Sequence, residues 1–403
     1  MLGELAGRDR MMGGELSASG RQVQNIPSQS GQVVRERIAG DQAIARPLRV
    51  CIVAPSMRIL GGQAIQAQRL MEHLSRTPGI EVGFVAHDPK LPGPLSVLQR
   101  IRYIRTVVNA VTYVATLLLR VPRYDVVHTF SAAYWSYFLA PMPAIVIGRL
   151  FGKGVILNYR SGELEDHLER WGKLAVGTMG LATRIVTPTP YLTGVYARFG
   201  LEADVIPNYL DVERLEYRTR ENMRPVFLIN RLFEPLYNYP CSLEAFRLIQ
   251  EAVPDASLII AGYGPLKNDI LGWIEEKNLR NVSFRGKVSH NEMMRLYEEA
   301  DIYLNSPDLD CFPGSILDAF AMGLPVVTTN AGGIRHIVEH DRTGWMVECG
   351  DAVGLATGAL KLLRNPDRAR QLAEAGRAEL EKRYVWPAVG PQWEDMYAMV
   401  AAR

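Results

Sequence analysis

Asp310-Cys-Phe-Pro313-Gly314-Ser315-Ile-Leu-Asp318-Ala-Phe-Ala-Met-Gly323-Leu-Pro325-Val-Val327 is the stretch whose reading decides the fold. A β-branched run ends near Asn305, a loop carries Asp308 and Asp310, and a helix is expected to begin near Pro313. Proline suits a first helical turn, where its missing N–H would have no partner in any case. The amides of Gly314, Ser315 and Ile316 are then available to an anion, with the helix dipole favouring negative charge. Asp318 follows Gly314 by four residues and shares its helix face. A second β-branched run begins at Pro325, so the segment reads as strand, loop, helix and strand, one unit of a parallel α/β sheet.

Outward from there, β-branched runs alternate with longer helical patterns along the chain from residue 48. The first half offers strands at Leu48–Ala54, Glu81–Ala86, Asp125–Thr129, Val155–Tyr159 and Arg184–Thr187. The second half offers Val226–Asn230, Ser257–Ala261, Val282–Arg285, Asp301–Asn305 and Pro325–Thr328. Continuous runs such as Val-Phe-Leu-Ile suit strands covered on both faces. The fold class is therefore α/β. At 403 residues two domains are expected, divided near Ile206–Asp211, where Pro207-Asn208 ends one alternating series.

Composition narrows the function classes. Four cysteines (Cys51, Cys241, Cys311 and Cys349) lie far apart, which suits a reducing compartment and offers neither a disulfide framework nor a zinc site. The net charge of +2 conceals an asymmetry. Residues 48–210 hold 17 Lys+Arg against 10 Asp+Glu, and residues 211–403 hold 22 against 28. The basic half suits an anionic partner such as a lipid phosphate or membrane surface, and scattered solvated arginines are the plainer alternative. Residues 101–121 read as a helix with a narrow polar strip, within a segment, 89–123, that holds six basic residues and no acidic one. It is either a helix lying on anionic lipid or one buried against the first sheet. Residues 1–46 lack the apolar core of a signal peptide and read as a disordered leader or an over-long start. No transmembrane helix is convincing, because Pro141 and Pro143 interrupt the longest charge-free run, Val126–Gly148. No nucleic-acid partner is expected.

Two acidic residues separated by seven others and followed by Ala-x-x-x-Gly-x-Pro-Val-Val resemble the signature of the retaining glycosyltransferases of family 4, which have the GT-B fold. The resemblance runs in matching order from about Leu48 to the C-terminus. It includes Gly61-Gly62, Asp125-Val-Val-His128, Val205-Ile-Pro-Asn208, Asn230-Arg231-Leu232, Ala261-Gly262-Tyr-Gly264, Phe284-Arg-Gly286-Lys287-Val288 and Thr329-Asn-Ala-Gly332-Gly333. It implies two Rossmann-like domains facing across a cleft, with an N-terminal acceptor domain over 47–210 and a donor domain over 211–385. A C-terminal helix over 386–403 would return to the first domain.

The implied activity is retaining transfer of a sugar from a UDP- or GDP-linked donor to a hydroxyl acceptor, without a cofactor or a bound metal. By analogy the setting is surface-polysaccharide or lipid-linked glycan assembly, in the cytoplasm or peripherally on the inner face of the plasma membrane. Asp310 would contact the donor sugar, Asp318 the ribose, and Arg231 the diphosphate, which a guanidinium fork suits. Pro313, Gly314 and Ser315 would head the diphosphate site, and the Gly286–Val288 backbone, through Lys287, would meet the base. Gly61, Gly62 and Gly262 would let backbone approach the donor, and His128 would face the transferred sugar. Arg160, Glu163 and Asp166 are acceptor-site candidates.

Three departures stand out. Aspartate replaces the usual glutamate at both ends of the acidic pair. Where the family has Arg-x-x-x-x-Lys-Gly, this chain reads Arg231-Leu-Phe-Glu-Pro-Leu-Tyr237-Asn238, so a phosphate lysine is missing; Lys267 and Lys287 are the candidates to replace it. Charged groups also stand in the acceptor segment 158–163. These departures leave room for a non-catalytic relative that binds sugar nucleotides, and a GT-B epimerase or phosphorylase is a further alternative. A nicotinamide dehydrogenase fits poorly, since Gly262-Tyr-Gly264-Pro-Leu-Lys lacks the third glycine of GxGxxG.

Overall fold

The computed structural model describes residues 46–58, 61–89, 102–131 and 133–402. The leader expected over 1–46 lies outside the described residues apart from Arg46. The chain builds two six-stranded sheets in which every strand pair is parallel. The first holds β1 (Leu48–Ala54), β2 (Ile80–Ala86), β3 (Val126–Ser131), β4 (Gly154–Tyr159), β5 (Arg184–Thr187) and β6 (Asp204–Val205). The second holds β7 (Val226–Ile229), β8 (Ser257–Ala261), β9 (Val282–Gly286), β10 (Ile302–Asn305), β11 (Val326–Thr329) and β12 (Trp345–Val347). The ten expected strands are all present to within two residues. The two edge strands β6 and β12 were not read, being too short to carry a pattern.

Strand order fixes where a ligand can sit. The orders are β2-β1-β3-β4-β5-β6 and β12-β11-β10-β7-β8-β9. Winding reverses between β1 and β3 in the first sheet and between β7 and β10 in the second. In open parallel sheets a crevice opens at that reversal, beyond the carboxyl ends of the two strands.

Residues 50–54 of β1 are fully buried, as parallel strands between helical layers require. The final helix, Trp386–Ala401, packs on the first sheet, with Val389, Trp393, Tyr397 and Val400 in one apolar cluster with Val50, Ile52, Val126 and Ile156. The helix Arg102–Arg120 is buried along one face and exposed along another. Tyr113 and Leu117 are buried, and the Tyr113 hydroxyl donates to the Ala140 carbonyl at 2.7 Å. The stripe of Val107, Val111, Leu118 and Leu119 faces outward, with Val111 64% and Leu119 73% exposed. No described helix is long and apolar enough to cross a membrane.

The segment after the first sheet is tied to the second by a buried carboxylate. Asp301, at the start of β10, is fully buried; Arg218 donates to it at 2.9 Å, and Arg224 at 2.6 Å from its backbone and 2.9 Å from its guanidinium. Arg220, also buried, lies 3.5 Å from Asp301 and donates to the carbonyls of Tyr297, Ala300, Met322 and Gly323. Asp301→Ala leaves buried guanidinium charge without its counter-ion and is expected to cost about 3–5 kcal/mol. Denaturant titration against wild type measures it, and a loss below about 1 kcal/mol would contradict this account.

Candidate active site

β7 and β10 are neighbours at the reversal of the second sheet. The residues just beyond them, Arg231 and Asp310, therefore face each other. Their side chains form a direct ion pair, with only 10% and 9% of each exposed. The same guanidinium donates to the Ser315 hydroxyl at 2.7 Å, at the head of the helix Gly314–Ala321. It also lies over the Tyr237 ring, 4.2 Å from the centroid. Burial opposes its charge most strongly, but Asp310 together with Tyr237 and Tyr303 outweighs it and the pKa is raised. Arg231 is thus held as a permanent cation beside the helix terminus.

The head of that helix differs in detail from its sequence reading. Pro313 is the capping residue and Gly314 the first helical one. The Ile316 amide turns back onto the Pro313 carbonyl at 3.2 Å, leaving Gly314 and Ser315 as the candidate amides for an anion. Tyr297 steadies this turn: its hydroxyl accepts from Asn230 at 2.7 Å and donates to the Ser315 carbonyl at 3.0 Å. Asp318 is half-buried one turn on. Burial pushes its carboxyl up to about 6, against the pull of Arg69 from the first domain.

Leu236 stands at the position of the missing lysine, and the next residue, Tyr237, lies against Arg231. Its ring supports the guanidinium from one side. Asn238, in the left-handed region at φ 43°, caps the helix Tyr239–Ala252 through Cys241 N–H at 3.1 Å and donates to Asp308 at 2.9 Å. Lys287 lies over Tyr263, 5.1 Å from the ring centroid. Arg69, on the helix Gly62–Leu74, was missed because nothing in its local sequence marks it; only the domain arrangement brings its charge to bear on Asp318.

The loop carrying Asp310 is gripped from both domains. Gly333 N–H donates to the Asp310 carbonyl at 2.8 Å, and a Cβ at Gly333 would overlap the Cys311 carbonyl. From the first domain, the Thr189 hydroxyl donates to the Cys311 carbonyl at 3.1 Å and Asn208 to the Phe312 carbonyl at 3.4 Å. The Cys311 thiol donates to the Arg160 carbonyl at 3.3 Å.

Other expected residues fall into different positions. Gly61 and Gly62 have open space where a side chain would stand. Gly262 is a packing position: its N–H donates to the Gly286 carbonyl at 2.8 Å, and a Cβ there would overlap the Arg231 carbonyl. Gly286 ends β9 at φ 64°, and Val288 packs on the core. The expectation that His128 faces the cleft is corrected. The ring is fully buried within the first domain, hydrogen-bonded to the Tyr397 hydroxyl at 2.7 Å and to Asn158 at 2.9 Å, and stacked on Phe130 at 5.0 Å. Both nitrogens are occupied, and burial holds its pKa well below the ordinary range. Sequence could place it at a strand end but could not say which face of β3 it points from.

Arg160 follows β4 and donates to the Asn158 side chain at 2.9 Å; burial lowers its pKa to about 10. Glu163 precedes the helix Leu164–Met179 and is bonded to Ser161. The large cavity of the first domain, about 710 Å³, lies instead beyond β1, β2 and β3 and is lined by Arg58, His87, Asp88, Arg105, Asn109 and Leu139, among others. It opens at the reversal of the first sheet.

Residues 213–379 match the family model described as Glycosyl transferases group 1. These residues form a group 1 glycosyltransferase domain. It contains Arg231, Asp310 and Asp318. Over 156 residues the chain is 30% identical to N-acetyl-alpha-D-glucosaminyl L-malate synthase of Bacillus anthracis, covering 38% of this chain and 40% of that protein. Over 212 residues it is 29% identical to phosphatidyl-myo-inositol mannosyltransferase of Mycobacterium leprae, covering 50% and 55%. The chain thus spans less than two thirds of these curated relatives. Among solved structures it is similar to sucrose-phosphate synthase from Thermosynechococcus elongatus, with a TM-score of 0.71, 18% identity, and 88% and 99% coverage. It is also similar to Anabaena HepE in complex with UDP and glucose, with a TM-score of 0.68, 15% identity, and 87% and 99% coverage. These likenesses show the fold, which is GT-B.

A test of the glycosyltransferase domain's site follows from Asp318. Its carboxyl titrates near 6 in the fold and near 4 in an unfolded chain. The unfolded state therefore releases its proton first, and wild type loses stability as pH rises between those values. Asp318→Asn is expected to melt above wild type at pH 7 and to converge with it below about pH 4. Parallel melting curves with no pH-dependent gap would contradict this.

Proposed function

We propose that the protein is a retaining glycosyltransferase that moves a sugar from a nucleoside-diphosphate donor, UDP- or GDP-linked, to a hydroxyl of a glycan or lipid-linked acceptor. The observation that carries this reading is the convergence of a buried guanidinium and a helix N-terminus, flanked by two carboxylates, at the winding reversal of the donor-side sheet. The relatives' printed names, all transferases or synthases of glycosides or glycans, and HepE's complex with UDP support it.

In this reading the diphosphate lies against the Gly314 and Ser315 amides and the Arg231 guanidinium. These groups sit where negative charge develops as the anomeric C–O bond breaks. Asp310 accepts from hydroxyls of the transferred sugar, and Asp318 from the ribose. The acceptor oxygen attacks the same face that the leaving group departs from, and its proton passes to the departing phosphate oxygen. Arg231 and the amides stabilise the leaving group without a metal. His128 takes no part in contact with the sugar; it supports β3 and β4 from within.

The acceptor enters from the first domain, and the cavity of Arg58, Arg105 and Asn109 is the place we assign to its reacting end. We place the protein in the cytoplasm, resting peripherally on an anionic membrane face through the Val107–Leu119 stripe. Arg120 and Arg123 supply the positive charge for that contact.

Two outcomes test this. Asp310→Asn is expected to lower sugar transfer by roughly a hundredfold or more, while UDP or GDP still raises the melting temperature, because Arg231 gives up a competing carboxylate. Transfer at the wild-type rate would sink the assignment. Val111→Glu is expected to release the protein from phosphatidylglycerol vesicles in co-sedimentation; undiminished binding would refute the membrane contact.

A further inference from the structure

A second, smaller cavity of about 320 Å³ opens on the first domain, lined by Tyr134, Trp135, Arg170 and Trp171. Tyr134 and Trp135 stand just beyond β3, and Arg170 and Trp171 lie on the helix that follows β4. The cavity is therefore on the strand-end side of the sheet, the side given to the acceptor.

Its walls are built with unusual backbone. Tyr134 sits at φ 58°, ψ −136°, a conformation that a side-chain-bearing residue adopts only under constraint. Gly172, directly after Trp171, breaks its helix at φ 42°, ψ −125°. Between these two irregularities the indoles of Trp135 and Trp171 meet edge to face at 4.9 Å, and Phe138 braces Trp171 at 4.6 Å. Trp135 is nevertheless 66% exposed. A bulky aromatic fixed by its neighbours but left in solvent is a contact surface in waiting.

The polar groups at the rim narrow what it contacts. The Tyr134 hydroxyl donates to the Asp166 carboxylate, and Arg170 Nε donates to the same carboxylate at 2.9 Å. The Arg170 guanidinium also lies 5.5 Å from the Tyr134 ring centroid. The pair is neutral as a unit and presents both acceptor oxygens and spare N–H donors. Such a rim matches an uncharged polyol better than an anion or a cation. An indole face with a donor–acceptor pair beside it complements a pyranose, whose C–H face stacks while vicinal hydroxyls bond at the edge. The volume is at the low end of the roughly 300–1,000 Å³ typical of ligand pockets and suits a single ring.

We propose that Trp135, Trp171, Asp166 and Arg170 form a subsite that holds one neutral sugar ring of the acceptor glycan. The proposal rests on the glycosyl-transfer reading for the word acceptor, but not for the sugar contact itself. The test uses the full chain and saturation-transfer NMR with methyl α-glucopyranoside, methyl α-mannopyranoside, methyl α-galactopyranoside and N-acetylglucosamine. At least one is expected to receive saturation through its ring C–H protons. Trp135→Ala and Trp171→Ala should each weaken that binding about tenfold, and Trp135→Phe should restore most of it. UDP and GDP should raise the melting temperature of all three variants as they do for wild type.

No glycoside binding by wild type overturns the subsite, as does binding that Trp135→Ala leaves unchanged. It also falls if Trp135→Ala abolishes phosphatidylglycerol-vesicle binding while glycoside binding persists, since the indole is then a lipid contact. If neither UDP nor GDP stabilises wild type but glycosides bind through Trp135, the donor reading fails and the sugar subsite stands.

Discussion

The buried ion pair between Arg231 and Asp310 is the constraint around which the second domain is arranged. It joins the residues that follow two adjacent strands, β7 and β10, and so closes the crevice that the strand order opens. Neither partner would be tolerated there alone, since an unpaired buried charge costs several kcal/mol. The third contact, to Ser315, sets the cation at the head of a helix whose dipole also favours an anion. In the function we propose, an incoming diphosphate exchanges with the Asp310 carboxylate for a guanidinium already desolvated and aimed. That preorganisation is what a leaving-group site requires.

The same loop couples the domains. Its backbone carbonyls at Cys311 and Phe312 accept from Thr189 and Asn208, and its thiol reaches the Arg160 carbonyl, all groups of the first domain. The Asp310 loop and the first domain are thus linked through two residues of main chain. Arg69 adds an electrostatic link, because its charge on the first domain is felt by Asp318 on the second.

Much of this was legible in the sequence. Ten strands could be read because parallel strands are continuous apolar runs, and Pro313-Gly314 announced the helix start. The carboxylate spacing over Asp310 and Asp318 located the crevice. What failed was orientation. His128 sits on β3 at a position whose side chain points into the layer under the last helix, and no local pattern distinguishes the two faces of a strand buried on both sides. The cation–π support from Tyr237 and the two-tryptophan platform were also hidden. Both bring together residues with no periodic relation in the sequence. The cavity beyond β1, β2 and β3 was not legible either, because it forms where winding reverses, from residues distant in sequence.

Where a diphosphate binds decides whether the Arg231 crevice is a leaving-group site. A crystal structure of the full chain with bound UDP or GDP tests it most directly. The β-phosphate is expected on the Gly314 and Ser315 amides, with Arg231 turned from Asp310 toward phosphate oxygens and the ribose hydroxyls at Asp318. A nucleotide bound elsewhere, with the Arg231–Asp310 pair intact, would contradict it.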